Sequence, residues 1–186
     1  MIGQQVPDIC LKTRVRDESV GGDNPFRWQD VQTGELFGKG RVIVFSLPGA
    51  FTPTCSTSQL PGFEERYDAF KAAGVSEIYC VSVNDAFVMY QWGKAQGVEH
   101  VKLLPDGSGN FTRRMGMLIN KDHVGFGMRS WRYAMVIDDG IITHMFVEPG
   151  CNDCGDDQDP YGETDPAKLL EWVKANPARN RESVNA

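Results

Sequence analysis

The stretch RVIVFSLPGAFTPTCSTSQLPGFEERYDAFKAAGVSEIYCVSV, residues 41–83, alternates strand and helix and so decides the fold class. Arg41 to Leu47 is a short, β-branched apolar run stopped by Pro48-Gly49, the pattern of a strand buried on both faces. From Cys55 to Ala73, Leu60, Phe63, Tyr67 and Phe70 recur at steps of three and four, one apolar stripe on a helix that Gly74 ends. Glu77 to Val83 is a second buried strand. One βαβ unit results.

Outward from this unit, Asn84-Asp85 offers an N-cap to a helix through Phe87, Tyr90 and Trp92 before Gly97. Val101 to Leu104 reads as a strand ending at Pro105-Asp106-Gly107, and a short helix is expected over Phe111 to Leu118. Arg132 to Ile137 and Ile141 to Val147 flank the hairpin signal Asp138-Asp139-Gly140. Asp165 caps and Pro166 opens a last helix containing Leu169, Leu170, Trp172 and Val173. On the N-terminal side, Ile9 to Arg41 mixes strand-like pieces with turns at GGDNP, 21–25, and at Thr33-Gly34, the mark of an antiparallel hairpin. The pattern predicts an α/β mixed sheet with helices on both faces and additional N-terminal strands, and it resembles a thioredoxin-like arrangement. No repeat or linker divides the chain, so residues 1–186 read as a single domain.

The 186 residues are 41% hydrophobic, enough for a substantial core. Nineteen Lys and Arg against 25 Asp and Glu give a net charge of −6, the wrong sign for a phosphate-backbone footprint, so nucleic acid is not an expected partner. No apolar run approaches the roughly 20 residues that span a bilayer, and the N-terminus lacks a signal-peptide pattern. A cytoplasmic protein is expected, with no membrane partner. Five cysteines, Cys10, Cys55, Cys80, Cys151 and Cys154, are odd in number and too sparse for a disulfide scaffold, so they read as thiols in a reducing compartment.

Cys55 lies eight residues beyond the end of the first buried strand and opens the striped helix. Its sulfur therefore sits among backbone N–H groups lacking intrahelical partners, at the positive end of the macrodipole. A thiol with a pKa of about 8.5 is only about 3% ionised at pH 7, and bringing it to about 6 takes roughly 3.4 kcal/mol. The dipole supplies about 0.3 to 1 kcal/mol, rarely 2, so a cation is required as well. An arginine about 4 Å away at an effective dielectric near 20 attracts the sulfur by on the order of 4 kcal/mol before desolvation.

Pro48, Thr52 and Cys55 in PGAFTPTC match the Pro-x-x-x-Thr-x-x-Cys motif of peroxiredoxins. With EIYCVSVNDAFVM, LLPDG and RSWRYAMVIDDG, the chain resembles the type II (atypical) branch from about Lys12 to Trp172. It also resembles the peroxiredoxin half of bacterial peroxiredoxin-glutaredoxin hybrids. The resemblance implies a thiol peroxidase reducing hydrogen peroxide and alkyl hydroperoxides, with no cofactor. Cys55 would attack the O–O bond and become a sulfenic acid, Thr52 would hydrogen-bond thiolate and peroxide, and Pro48 would shield the sulfur. The family's catalytic arginine matches Arg132, with Arg129 nearby. As no glutaredoxin segment follows within 186 residues, a separate reductant is expected, either glutathione with glutaredoxin or thioredoxin. A homodimer joined at the active-site end is the family's common form.

Cys80 resembles the second cysteine of plant-type members, where it forms an intramolecular disulfide. Yet four residues of strand at 3.3 Å each put it on the order of 13 Å below Cys55, beyond the roughly 7 Å between Cα atoms that a disulfide tolerates. Resolving cysteine and plain core packing both stay open. Cys151 and Cys154 form a CxxC in the acidic loop GCNDCGDDQDPYGETD. They are readable as a solvated loop, an auxiliary resolving pair or half a metal site, with Asp153, Asp156 and Asp157 expected to raise the thiols. Against a thioredoxin-type oxidoreductase, Ser58 occupies the place of the second cysteine. Against a cysteine hydrolase, His100, His123 and His144 fall in no Cys-His signature. A non-catalytic or chaperone-like interaction protein on the same fold is the alternative of a different class.

Overall fold

The computed structural model describes residues 1–155 and 157–178. β1 (Cys10–Arg16) and β2 (Phe26–Gln32) pair antiparallel as an N-terminal hairpin. The segment containing GGDNP connects them, as expected. Thr33-Gly34 is not the hairpin turn but opens a short helix, α1 (Thr33–Phe37). There the Thr33 hydroxyl is buried and donates to the Pro7 carbonyl at 2.7 Å, a tertiary bond that overrides the local turn preference.

β3 (Arg41–Leu47) is buried at every residue and stands at the centre of a five-stranded sheet. The chain leaves it through Pro48-Gly49 and enters a π-helical turn, Cys55–Gln59, followed by α2 (Leu60–Glu65) and α3 (Tyr67–Ala72). The sequence predicts one helix over Cys55 to Ala73. The structure instead has a wide first turn and a break at Arg66, where the backbone leaves helical geometry (φ −97, ψ 7). The apolar stripe survives the break, with Leu60, Phe63 and Phe70 fully buried.

β4 (Glu77–Ser82) runs parallel to β3, α4 (Ala86–Gln96) is capped by the Asp85 carboxylate, and β5 (Lys102–Pro105) completes that side of the sheet. α5 (Asn110–Arg114) is shorter than the helix expected over Phe111 to Leu118, because Leu118 already belongs to β6 (Leu118–Asn120), which pairs with β7 (Met128–Ser130). β8 (Tyr133–Asp138) and β9 (Ile141–Val147) form the expected hairpin, with Asp139 and Gly140 at φ +50 and +83. α6 (Pro166–Ala175) closes the chain.

The sheet order β5-β4-β3-β8-β9 is mixed, since β8 runs antiparallel to β3. Alternation along β3 divides the interior into two layers. Ile43, Phe45 and Leu47 pack with α2, α3, α4 and α6, where the Phe45 and Phe63 rings stack at 4.0 Å. Val42 and Val44 pack on the other face with Phe37, Phe111 and Met135. This is the thioredoxin-like arrangement with helices on both faces and extra N-terminal strands. The N-terminus also adds to the β9 edge, where Gly3 N donates to Ile142 O at 2.8 Å and Ile142 N to Gln4 O at 2.9 Å. No helix among the described residues is long and apolar enough to cross a membrane.

Candidate active site

The site is assembled where β3 ends. Register places Ser46 opposite Tyr133, so the residue preceding Tyr133 arrives beside the segment that carries Cys55. That residue is Arg132. Its Nη1 lies 3.5 Å from Cys55 Sγ, and the residues are 1% and 0% exposed. The loop between β3 and the π turn is pinned from the neighbouring strand, because Asn84 Oδ1 accepts from Ala50 N at 3.0 Å and from the Ser82 hydroxyl at 2.6 Å. Phe51 adopts φ +63 within this loop and stays exposed. Gly49 is needed for packing, since a Cβ there would meet Arg129 Nη1 at 3.1 Å and Thr52 Cγ2 at 3.3 Å.

Pro48 is buried, and the Cys55 side chain is fully covered. The Thr52 hydroxyl donates to the Gly49 carbonyl at 2.7 Å rather than to the sulfur. Its oxygen lone pairs remain acceptors. Thr52 O accepts from Ser56 N at 3.1 Å, and the Ser56 hydroxyl accepts from Trp92 Nε1 at 3.0 Å, tying the turn to α4. Arg129 is held by the carbonyls of Val83 (3.2 Å) and Phe126 (3.0 Å). Burial lowers its basicity even though the charge of Cys55 acts the other way.

Two partners of Arg132 escape the sequence reading. Gln59, four residues beyond Cys55, accepts from Nη1 at 2.6 Å, and Asp159 accepts from Nη2 at 2.5 Å. The spacing of four residues from Cys55, one helical turn, is the sequence signal that could have singled out Gln59. Nothing local marks Asp159, which comes from the acidic loop 27 residues away. Burial works against the guanidinium charge, but the negative charges of Cys55 and Asp159 outweigh it and hold Arg132 above its usual range. Arg132 Nε and Gln59 Nε2 are buried without a protein acceptor among the described residues, so two donors on the residues around Cys55 are uncommitted.

Cys80 sits within β4, between Phe45 on β3 and Leu103 on β5, in the same apolar layer as Cys55. Burial, with the charge of Cys55, pushes its thiol well up. Cys151 and Cys154 are exposed free thiols. Although Cys151 is exposed, partial loss of hydration at its sulfur raises it, helped by Asp153 and Asp157, while Asp156 lies outside the described residues. Among the described residues no cluster of three or more His, Cys, Asp or Glu could hold a metal ion.

Residues 3–159 match the Redoxin family. A peroxiredoxin of Rhizobium etli is 58% identical over 92% of this chain and 96% of its own length. The hybrid peroxiredoxin hyPrx5 of Haemophilus influenzae is 46% identical over 93% of this chain and 66% of its own. A solved peroxiredoxin structure superposes with a TM-score of 0.86 at 33% identity, covering 95% of this chain and 99% of that one. The chain thus belongs to the peroxiredoxins and is a thiol peroxidase.

The loop beyond β9 is anchored by Glu148, whose carboxylate accepts from Gly162 N, Thr164 N and the Thr164 hydroxyl. Burial works to raise this carboxyl, but the hydrogen bonds prevail and hold it below its ordinary value. Its contribution to stability is therefore complete above the unfolded carboxylate range and is lost as pH falls through the lowered folded value. Urea denaturation at pH 7 and pH 3 checks this, with Glu148→Gln expected to lose less stability than the native chain between those two pH values.

Proposed function

We propose that Cys55 is the peroxidatic nucleophile and that Arg132 holds it as a thiolate and binds the peroxide. The observation that carries this is the 3.5 Å approach of Arg132 Nη1 to Cys55 Sγ in a site closed to water. At that distance the guanidinium sets a fixed positive charge against the sulfur that attacks the peroxide. Thiolate sulfur attacks one peroxide oxygen along the O–O axis, and that bond breaks. The sulfur becomes a sulfenic acid, and the departing oxygen takes a proton and leaves as water or alcohol. Arg132 Nε and Gln59 Nε2, the donors without acceptors, stabilise the oxygen that becomes negative. The Thr52 oxygen accepts a hydrogen bond from the O–H of the incoming peroxide, which keeps its proton, and Pro48 keeps bulk water from the sulfur.

The substrates are hydrogen peroxide and alkyl hydroperoxides. Recycling consumes two external thiols, supplied by glutathione with glutaredoxin or by thioredoxin. The first thiol displaces water from the sulfenic acid to form a mixed disulfide, and the second releases Cys55. Supporting an external reductant, Cys80 is enclosed in the sheet with a raised thiol, and Cys151 is raised as well. A cytoplasmic setting accords with the sparse, odd set of cysteines. A homodimer formed at this end would cover Phe51, which is 56% exposed beside the site.

Cys55→Ser is expected to abolish peroxide turnover, and mass spectrometry after one equivalent of hydrogen peroxide should find the added oxygen on Cys55 of the native chain. Arg132→Met should slow that oxidation by roughly 10²-fold or more in stopped-flow measurements. Cys80→Ala should retain turnover within about twofold with an external thiol while costing about 1 kcal/mol of stability in urea denaturation.

A further inference from the structure

Arg132 is a buried cation whose two terminal nitrogens do different work. Nη1 faces Cys55 and Gln59, while Nη2 is bonded to Asp159 at 2.5 Å. A guanidinium is a rigid planar fork, so fixing one nitrogen fixes the direction of the others. We propose that Asp159 is a positioning residue for the peroxidase reaction, setting the orientation of Arg132 toward the sulfur and the peroxide. This rests on the roles of Cys55 and Arg132 given above.

The loop is built to hold this one carboxylate in place. Asp159 has φ +50, a backbone conformation that Asp and Asn tolerate better than other side chains. Its N–H donates to Asp157 Oδ1 at 2.9 Å. Asp157 is itself bonded to Lys121 Nζ at 2.6 Å, with both of those side chains 4% exposed, and His123 Nε2 stands 3.6 Å from its other oxygen. A buried ion pair at the end of β6 thus fixes Asp157, which fixes Asp159, which fixes Arg132. The guanidinium also lies over the Tyr161 ring, 5.8 Å from its centroid.

Two consequences of the Asp159 charge oppose one another, and this makes the role testable. The carboxylate aligns Arg132, yet its negative charge also offsets part of the pull that Arg132 exerts on the sulfur. Asp159→Asn keeps the shape and tolerates the positive φ while removing the charge. Oxidation of Cys55 by hydrogen peroxide needs aligned donors, whereas alkylation by iodoacetamide needs only a charged sulfur.

The 186-residue chain is tested by stopped flow, following tryptophan fluorescence, to which Trp92 contributes a site signal because that indole is bonded to the residue after Cys55. Asp159→Asn is expected to slow oxidation about tenfold while alkylation at pH 6 stays equal to the native rate or rises. Asp159→Glu, which retains the charge, should recover at least half of the lost rate on a logarithmic scale. Oxidation of Asp159→Asn within twofold of the native rate overturns the proposal. A parallel fall in both rates with a lowered Tm also overturns it, since that is the mark of a merely structural loop residue. A native chain whose Cys55 gains no oxygen from peroxide overturns instead the underlying assignment of Cys55, a result read separately from the variants.

Discussion

The charge on Arg132 dictates the arrangement of everything near it. A guanidinium that is 1% exposed cannot remain ionised without partners, and the structure surrounds it with the sulfur of Cys55, the amide oxygen of Gln59 and the carboxylate of Asp159. Three separate segments must therefore converge on one point. The π turn supplies two of these groups from a single helical edge, and the loop after β9 supplies the third. The sulfur, the amide oxygen and the carboxylate together give the buried cation electron-rich partners in place of water.

The sheet makes that convergence possible. β3 is parallel to β4 and antiparallel to β8, so the chain departing from β3 toward Cys55 and the chain arriving at β8 through Arg132 meet at the same end. The apolar residues of β3 are shared between two cores, so the strand is packed on both faces. Polar ties then set the finer geometry. Asn84, two residues beyond β4, holds the Pro48–Thr54 segment through Ala50, and Trp92 holds Ser56 from α4.

Features encoded by neighbours in sequence were legible without a structure. The uninterrupted apolar run of β3, the Asp85 and Asp165 caps and the Asp139-Gly140 turn each express a local preference that tertiary packing respects. Thr33-Gly34 misled because the Thr33 side chain bonds to Pro7 and Ile9 across the fold, turning a turn signal into a helix start. The break at Arg66 was hidden because the apolar stripe continues through it. Cys55 and Arg132 were legible through their motifs, but Asp159 was not. Its partner is far along the chain, and a surrounding run of acidic residues reads in one dimension as a solvated face.

The backbone hydrogen bonds that Gly3 and Gln4 make along β9 have a bearing on life in crowded solution. A bare outermost strand offers a template on which other chains can assemble, and that hazard is greatest for a mostly apolar sheet such as this one. At this border the chain occupies part of the template with its own first residues. At the opposite border, β5 is only four residues long and ends in Pro105, which has no N–H to donate. The molecule is thus guarded at both margins against the endless stacking that its buried, β-branched centre would otherwise invite.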